Sequence, residues 1–133
     1  MTTIKMLYTY GAMLVCFLAL DMVWLGVIAK GFYKDQIGHL MKTIPNWPAA
    51  LIFYALFLVG AMIFAVLPGV EKNSLVHTLI YGALFGFFTY MTYELTNYAV
   101  IKDWPFWIVI VDIVWGIVLT GVVSIIGYLV AKL

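Results

Sequence analysis

The sequence predicts an all-α integral membrane protein, built as a four-transmembrane-helix bundle. Of its 133 residues, 66% are hydrophobic and 10% are charged, whereas a soluble domain carries about a quarter charged residues. Four stretches are also long and apolar enough to cross a bilayer core about 30 Å thick as helices of about 20 residues. Too little polar sequence remains to cover a water-soluble globule, so the lipid bilayer is the predicted environment.

The four predicted spans cover about residues 7–29, 48–67, 75–101 and 105–131. Proline favours the first turn of a helix, which places Pro48 and Pro105 at helix starts, and Pro68 is placed at a helix end. Backbone groups in lipid must bond within their own segment, so each span is predicted as a helix. The loops are too short for a separate module, and residues 1–133 are predicted to form a single transmembrane domain.

The longest loop, residues 30–47, mixes charged with apolar and aromatic residues. This mixture is compatible with a short amphipathic helix in the membrane interface or with an irregular loop. Four spans leave both termini on one side of the membrane, here called side A, and put loop 30–47 on the opposite side, side B. Side B carries four of the seven lysines. The positive-inside rule therefore slightly favours a cytoplasmic loop 30–47 with both termini outside.

Three tryptophans fall at the side-B ends of the predicted spans. Amphipathic indole rings prefer the boundary between lipid and water. The predicted interfacial anchors are Trp47, Trp104 and Trp107.

Three acidic residues lie inside the spans, where ionisable groups are costly and usually face the bundle interior or a wet cavity. Asp21, Glu94 and Asp112 each lie eight or nine residues from a charged residue at the side-B boundary. At 1.5 Å per residue, each carboxyl is roughly 12–14 Å inside that boundary. Three carboxyls at one depth in a small bundle are predicted to be neighbours.

Aromatic and amide residues accompany these acids at helical spacing, and residues three or four apart share a helix face. Such a layer can hold protons, as a coupled set, or a cation, and aromatic faces suit an organic cation. The predicted ligand-binding residues are Asp21, Trp24, Tyr90, Tyr93, Glu94, Asn97, Asp112 and Trp115.

Two helix faces carry small residues, which let helices approach closely in lipid. One contains Gly82 and Gly86, and the other contains Gly116, Thr120 and Ser124. The sequence leaves open whether these faces pack within one chain or between the two copies of a homodimer.

Several functions are not indicated by the sequence. The chain has no arginine and no basic run, which argues against nucleic-acid binding. Its two histidines, His39 and His77, match no zinc or haem spacing, so no metal site is predicted from them. The sequence does not identify a cofactor, and it leaves open a hard cation held by the carboxylates. No nucleophile elbow, zinc-protease motif or phosphate-binding loop is present.

Five segments occur in an order that resembles a known family. They are LDMVWLG, FYKDQIGHL, PAALIFYALF, FGFFTYMTYELTN and WPFWIVIVDIVWG. Together they resemble a family of small four-span bacterial membrane proteins catalogued as a domain of unknown function. The resemblance covers nearly the whole chain. It implies a multi-pass protein of the bacterial inner membrane, and it implies no activity and no catalytic residue.

The leading functional hypothesis is binding or transport of a small ligand or cation, linked to protonation of the three acids. One alternative is a membrane-embedded enzyme, or enzyme subunit, that modifies lipids, for which the pocket must open sideways into the bilayer. The other is a non-catalytic structural or accessory subunit, for which the acids are replaceable by amides.

Overall fold

The computed structural model describes all 133 residues as helices and turns, without a strand. Its four long helices are α1 (Thr3–Ile28), α3 (Trp47–Glu71), α4 (Leu75–Val100) and α5 (Phe106–Ala131), each long and apolar enough to cross a membrane. A short helix, α2 (Lys30–Ile37), connects α1 to α3. The predicted all-α bundle of four transmembrane helices is therefore confirmed, and most of loop 30–47 is helical.

Capping residues and left-handed turn residues bound the long helices. Thr2, Asn46 and Ser74 each accept a hydrogen bond from the backbone N–H three residues later, which satisfies a donor at the start of the helix. Asn73 (φ 51°) and Asp103 (φ 61°) adopt the left-handed conformation, which asparagine and aspartate tolerate better than most residues. These turns reverse the chain within a few residues, so α3, α4 and α5 run antiparallel in succession.

Two of the long helices contain a π-helical turn. In α1 this turn covers Trp24–Ile28, and in α3 it covers Met62–Val66. The turn in α3 lies just before Leu67–Glu71, where Pro68 occupies the first turn of an α-helical segment and its missing N–H is not needed. The helix consequently continues past residue 67, at which the second predicted span ends.

The closest helix pair is α4 and α5, which meet through the two small-residue faces. A Cβ atom on Gly86 would overlap the carbonyl oxygen of Gly116, and a Cβ atom on Gly82 would lie 2.5 Å from the Ser124 hydroxyl oxygen. Any larger residue would separate the two backbones. The small-residue faces thus pack on each other within one chain and are not free to join two copies of the protein.

The two halves of the bundle are packed differently. On side A the interior is filled by side chains with no exposed surface, and these include Met13, Phe17, Leu58 and Leu119. On side B a smaller apolar cluster joins α2 to the start of α5, with Tyr33 packed near Ile108 and Val109. Between these clusters the interior is lined by the acidic layer.

We expect Gly86→Ala to destabilise the protein because the added methyl group forces α4 away from α5. Overpacking of this kind costs about 1–3 kcal/mol. Thermal unfolding of the detergent-purified protein measures the change as a lower melting temperature.

Gly11→Ala is the matched control, since Gly11 also lies within a transmembrane helix and a Cβ atom there meets nothing within 4 Å. Alanine favours a helix interior over glycine, so this variant should melt at the wild-type temperature or above. Equal melting temperatures for the two variants would contradict the close contact at Gly86.

Candidate functional site

A cavity of about 470 Å³ lies in the side-B half of the bundle, and every helix contributes to its walls. All three intramembrane acids line it, with Asp21 from α1, Glu94 from α4 and Asp112 from α5. Glu94 is 1% exposed and Asp21 is 6% exposed. The acids that residue counting places at one depth therefore share one cavity.

Two aromatic side chains hold the Asp21 carboxyl. The Trp115 indole N–H donates to Oδ1 at 3.2 Å, and the Tyr54 hydroxyl donates to Oδ2 at 3.5 Å. Trp24, one turn after Asp21, stacks on Trp115 with ring centroids 4.4 Å apart and planes 8° apart. The two tryptophans thus form one wall behind the carboxyl.

Asp112 is bound by a residue from outside the spans. The Tyr33 hydroxyl, on α2, donates to Asp112 Oδ1 at 2.7 Å and accepts from the Trp24 indole N–H at 3.2 Å. Burial and the neighbouring Asp112 carboxylate both raise the pKa of Tyr33, so the phenol keeps its proton and acts as the donor. The hydrogen bond from Tyr33 to Asp112 holds α2 against the side-B end of the cavity.

Glu94 takes its donor from the turn between α4 and α5. The Trp104 indole N–H donates to Glu94 Oε1 at 3.0 Å, and both side chains are buried. The Glu94 and Asp112 carboxyls line the same cavity. Two neighbouring carboxylates in a low-dielectric site repel each other, so this pair is a place where a proton can be held.

The prediction that Trp104 is an interfacial anchor is wrong. Trp104 is 7% exposed, whereas Trp47 and Trp107 are 48% and 63% exposed. The turn that contains Asp103 folds the Trp104 ring back under the helix ends. A buried indole N–H needs an acceptor, and Glu94 supplies it.

Six of the eight predicted site residues line the cavity: Asp21, Tyr90, Tyr93, Glu94, Asp112 and Trp115. Trp24 lies behind Trp115 and reaches the site through Tyr33. Asn97 does not line the cavity and makes no hydrogen bond to any of the three acids. Its side chain faces Tyr93 instead, one turn away on α4.

Sequence reasoning missed several residues of the site. Tyr33 and Trp104 lie outside the spans, so no helical spacing relates them to the acids. Their only signal was the chemistry of an aromatic ring with a polar tip near the side-B boundary. The other cavity residues outside the predicted set are Leu25, Ile37, Phe53, Tyr54, Phe57 and Thr89.

The cavity opens between α3 and α4. The last ring contact between these helices is Phe57 with Tyr90, whose centroids are 6.2 Å apart. Nearer side B, Phe53 and Tyr93 are 52% and 56% exposed although both line the cavity. These two residues form the rim of the opening, here called the mouth.

Hydrogen bonds to the three acids come only from neutral groups. Their donors are the Tyr33, Tyr54, Trp104 and Trp115 side chains. No lysine or histidine donates to them, and no group of three or more His, Cys, Asp or Glu side chains is arranged to hold a metal ion. The site can therefore exchange protons or receive a cation at the carboxyls, with aromatic rings around it.

Four apolar helices around a buried, carboxyl-lined cavity define a multi-pass integral membrane protein. The chain belongs to the family described as "Predicted membrane protein (DUF2177)", which matches residues 6–129. The resemblance carried by the five ordered segments is thereby confirmed. No curated protein and no solved structure matches the chain.

We expect Tyr33→Phe to loosen α2, because the substitution removes the hydroxyl that bonds to Asp112. Leaving a buried polar group unpaired costs about 1–3 kcal/mol. Amide hydrogen exchange in residues 30–37 should therefore quicken by roughly tenfold or more, as measured by mass spectrometry.

Tyr8→Phe is the control, since Tyr8 is 68% exposed and its hydroxyl makes no hydrogen bond within the protein. Exchange in residues 30–37 should be unchanged in this variant. If Tyr33→Phe also left that exchange unchanged, the hydroxyl would not be what fastens α2.

Proposed function

We propose that the protein binds a small organic cation in the intramembrane cavity, in exchange for protons held by the carboxyls. One observation carries the proposal. Three acids line a single cavity, and every hydrogen bond they receive comes from a neutral aromatic side chain.

The charge balance of the cavity supports this proposal. A buried carboxylate is strongly disfavoured unless a proton or a cation compensates it. The chain supplies no basic side chain at this depth, so compensation must come from outside the protein. A proton and a bound cation then compete for the same carboxyl oxygens, and cation binding releases protons.

The walls of the cavity favour an organic cation over a metal ion. Tyr90 and Trp115 present aromatic side chains beside the acids, and ring faces attract ammonium groups. The volume of about 470 Å³ falls in the range of small-molecule pockets. A bare metal ion would need a tighter set of ligands than these three acids provide.

The proposal covers binding of the cation and does not include transport across the membrane. The side-A half is filled by fully buried residues such as Met13, Phe17 and Leu119, and these side chains lie between the cavity and side A. Transport would therefore require the core packing to open. A second copy of the chain is not needed, because the four aromatic donors and the three acids all come from one chain.

The opening between α3 and α4 meets one requirement of the lipid-modifying alternative, but the cavity lining supports that alternative less well. The lining contains carboxyls, phenols and the Thr89 hydroxyl but no Ser, Cys, His or Lys. The Thr89 hydroxyl already donates to the Phe85 carbonyl oxygen. Only acid–base chemistry by carboxyls and phenols is therefore available, which is why we favour binding.

We further propose that the protein resides in the bacterial inner membrane, as its family resemblance implies. Loop 30–47 would face the cytoplasm, since it carries three of the seven lysines and positive residues favour that side.

The test uses tetramethylammonium as the probe and purified protein in neutral detergent. We expect the wild type to bind it, as followed by tryptophan fluorescence, and to release protons into a weakly buffered solution. Glu94→Gln should weaken binding by about tenfold or more, which corresponds to a loss of about 1.4 kcal/mol, and should release fewer protons.

Glu71→Gln is the control, because Glu71 is an exposed acid at the side-A end of α3. It should bind and release protons as the wild type does. Binding without proton release, or undiminished binding by a folded Glu94→Gln variant, would contradict the proposal. A folded triple variant with amides at Asp21, Glu94 and Asp112 that keeps its cellular role would favour the accessory alternative.

A further inference from the structure

We infer that the ligand is a single-chain cationic amphiphile without a phosphate, and that it reaches the carboxyls from the lipid through the mouth between α3 and α4. This inference rests on the proposed cation site and adds the route, the hydrocarbon chain and the kind of head group.

The route follows from the depth of the mouth. Phe53 is six residues from the start of α3, and Tyr93 is seven residues from the end of α4. At 1.5 Å per residue, both rim residues lie roughly 9–11 Å inside the ends of their helices. The opening between them therefore faces the hydrocarbon of the bilayer, not the water beyond the helix ends.

The hydrocarbon chain follows from how polarity is distributed inside the cavity. Nine of its thirteen lining residues are hydrophobic or aromatic, and the rim residues are Phe53 and Tyr93. The acids lie deeper, where Glu94 is 1% exposed. A ligand that matches this arrangement has a charged head at the carboxyls and an apolar tail that leaves past Phe53.

The helix α2 covers the side-B end of the cavity, and this also favours access from the bilayer. Tyr33 on α2 lies over the cavity, bonded to Asp112 and Trp24, and Tyr33 is 9% exposed. A molecule coming from the water would have to displace this helix, whereas a molecule in the bilayer meets only the exposed rings of Phe53 and Tyr93.

The head group follows from the charge of the lining. An ammonium group can bond to the carboxyls and contact aromatic rings. A phosphate would lie beside three carboxyls with no lysine or arginine among the lining residues, and like charges brought together in a low-dielectric site repel strongly. An amine or quaternary ammonium amphiphile therefore fits, and a phospholipid head group does not.

The experiment compares three probes: tetramethylammonium, dodecyltrimethylammonium and dodecylphosphocholine. The last two share the dodecyl chain and the trimethylammonium group, and only dodecylphosphocholine carries a phosphodiester, with a two-carbon linker, between them. Fluorescence is read in a Trp47→Phe, Trp107→Phe background, which removes the two exposed tryptophans and leaves the three that border the site. We expect dodecyltrimethylammonium to bind at least tenfold more tightly than tetramethylammonium, and dodecylphosphocholine to bind at least tenfold more weakly than dodecyltrimethylammonium.

Phe53→Asn tests the mouth, because it places a polar side chain where the hydrocarbon chain passes. The affinity for dodecyltrimethylammonium relative to that for tetramethylammonium should fall by fivefold or more. The control is Ile52→Asn, whose residue is 61% exposed at nearly the same depth of α3 but does not line the cavity. It should leave the binding of both probes unchanged.

The outcomes separate this inference from the proposed function. If tetramethylammonium binds but the chain adds nothing, or Phe53→Asn has no effect, lateral access is overturned and the cation site stands. If dodecylphosphocholine binds as tightly as its ammonium counterpart, the phosphate-free head group is overturned. If no ammonium probe binds a folded protein, the proposed function fails and this inference fails with it.

Discussion

The rest of the structure depends on how three carboxyl groups are accommodated in a low-dielectric interior. Each needs hydrogen-bond donors, because an unpaired buried polar group is costly. The chain supplies the phenols of Tyr33 and Tyr54 and the indoles of Trp104 and Trp115. These donors come from α2, α3, the α4–α5 turn and α5. The hydrogen bonds to the acids therefore connect each of these elements to the cavity.

The cavity exists because one helix pair is packed much more closely than the other. Glycines let the backbones of α4 and α5 approach until a single added methyl group would overlap a carbonyl group. The N-terminal half of α3 has no such contact with α4, and aromatic rings hold the two helices together only as far as Phe57 and Tyr90. Close packing on one side and bulky rings on the other thus leave a gap at the depth of the acids.

The four spans could be predicted because a membrane imposes simple rules of length and polarity. The common depth of Asp21, Glu94 and Asp112 could also be predicted, since helical rise converts residue number into distance. Tyr33 and Trp104 could not, because they lie outside the spans, and no periodic pattern relates them to the residues they bond. Asn97 illustrates a different limit, since a helix face is wide enough to include a residue that lies beside Tyr93 without lining the cavity.

The same limits apply to how helices pair. Gly82 and Gly86 are recognisable as a contact face from their spacing, but spacing does not name the partner. Only the fold shows that the partner is the Gly116 and Ser124 face of the same chain. Likewise, the width of the gap beside Phe53 depends on the distance that the Phe57 and Tyr90 rings keep between α3 and α4. That distance cannot be predicted from the sequence of either helix alone.

The π-helical turn at Trp24–Ile28 has a consequence for how the chain tolerates change in length. The Ala29 N–H bonds to the Trp24 carbonyl oxygen, five residues back, so this turn holds one residue more than an α-helical bond would enclose. Deleting one residue here would convert that bond into an α-helical one, so the chain beyond the turn would keep its rotation about α1 and Tyr33 would stay near Asp112. Deleting a residue elsewhere in α1 would instead rotate everything downstream by about 100°. This turn is therefore the place at which α1 can lose a residue without losing the bond between Tyr33 and Asp112.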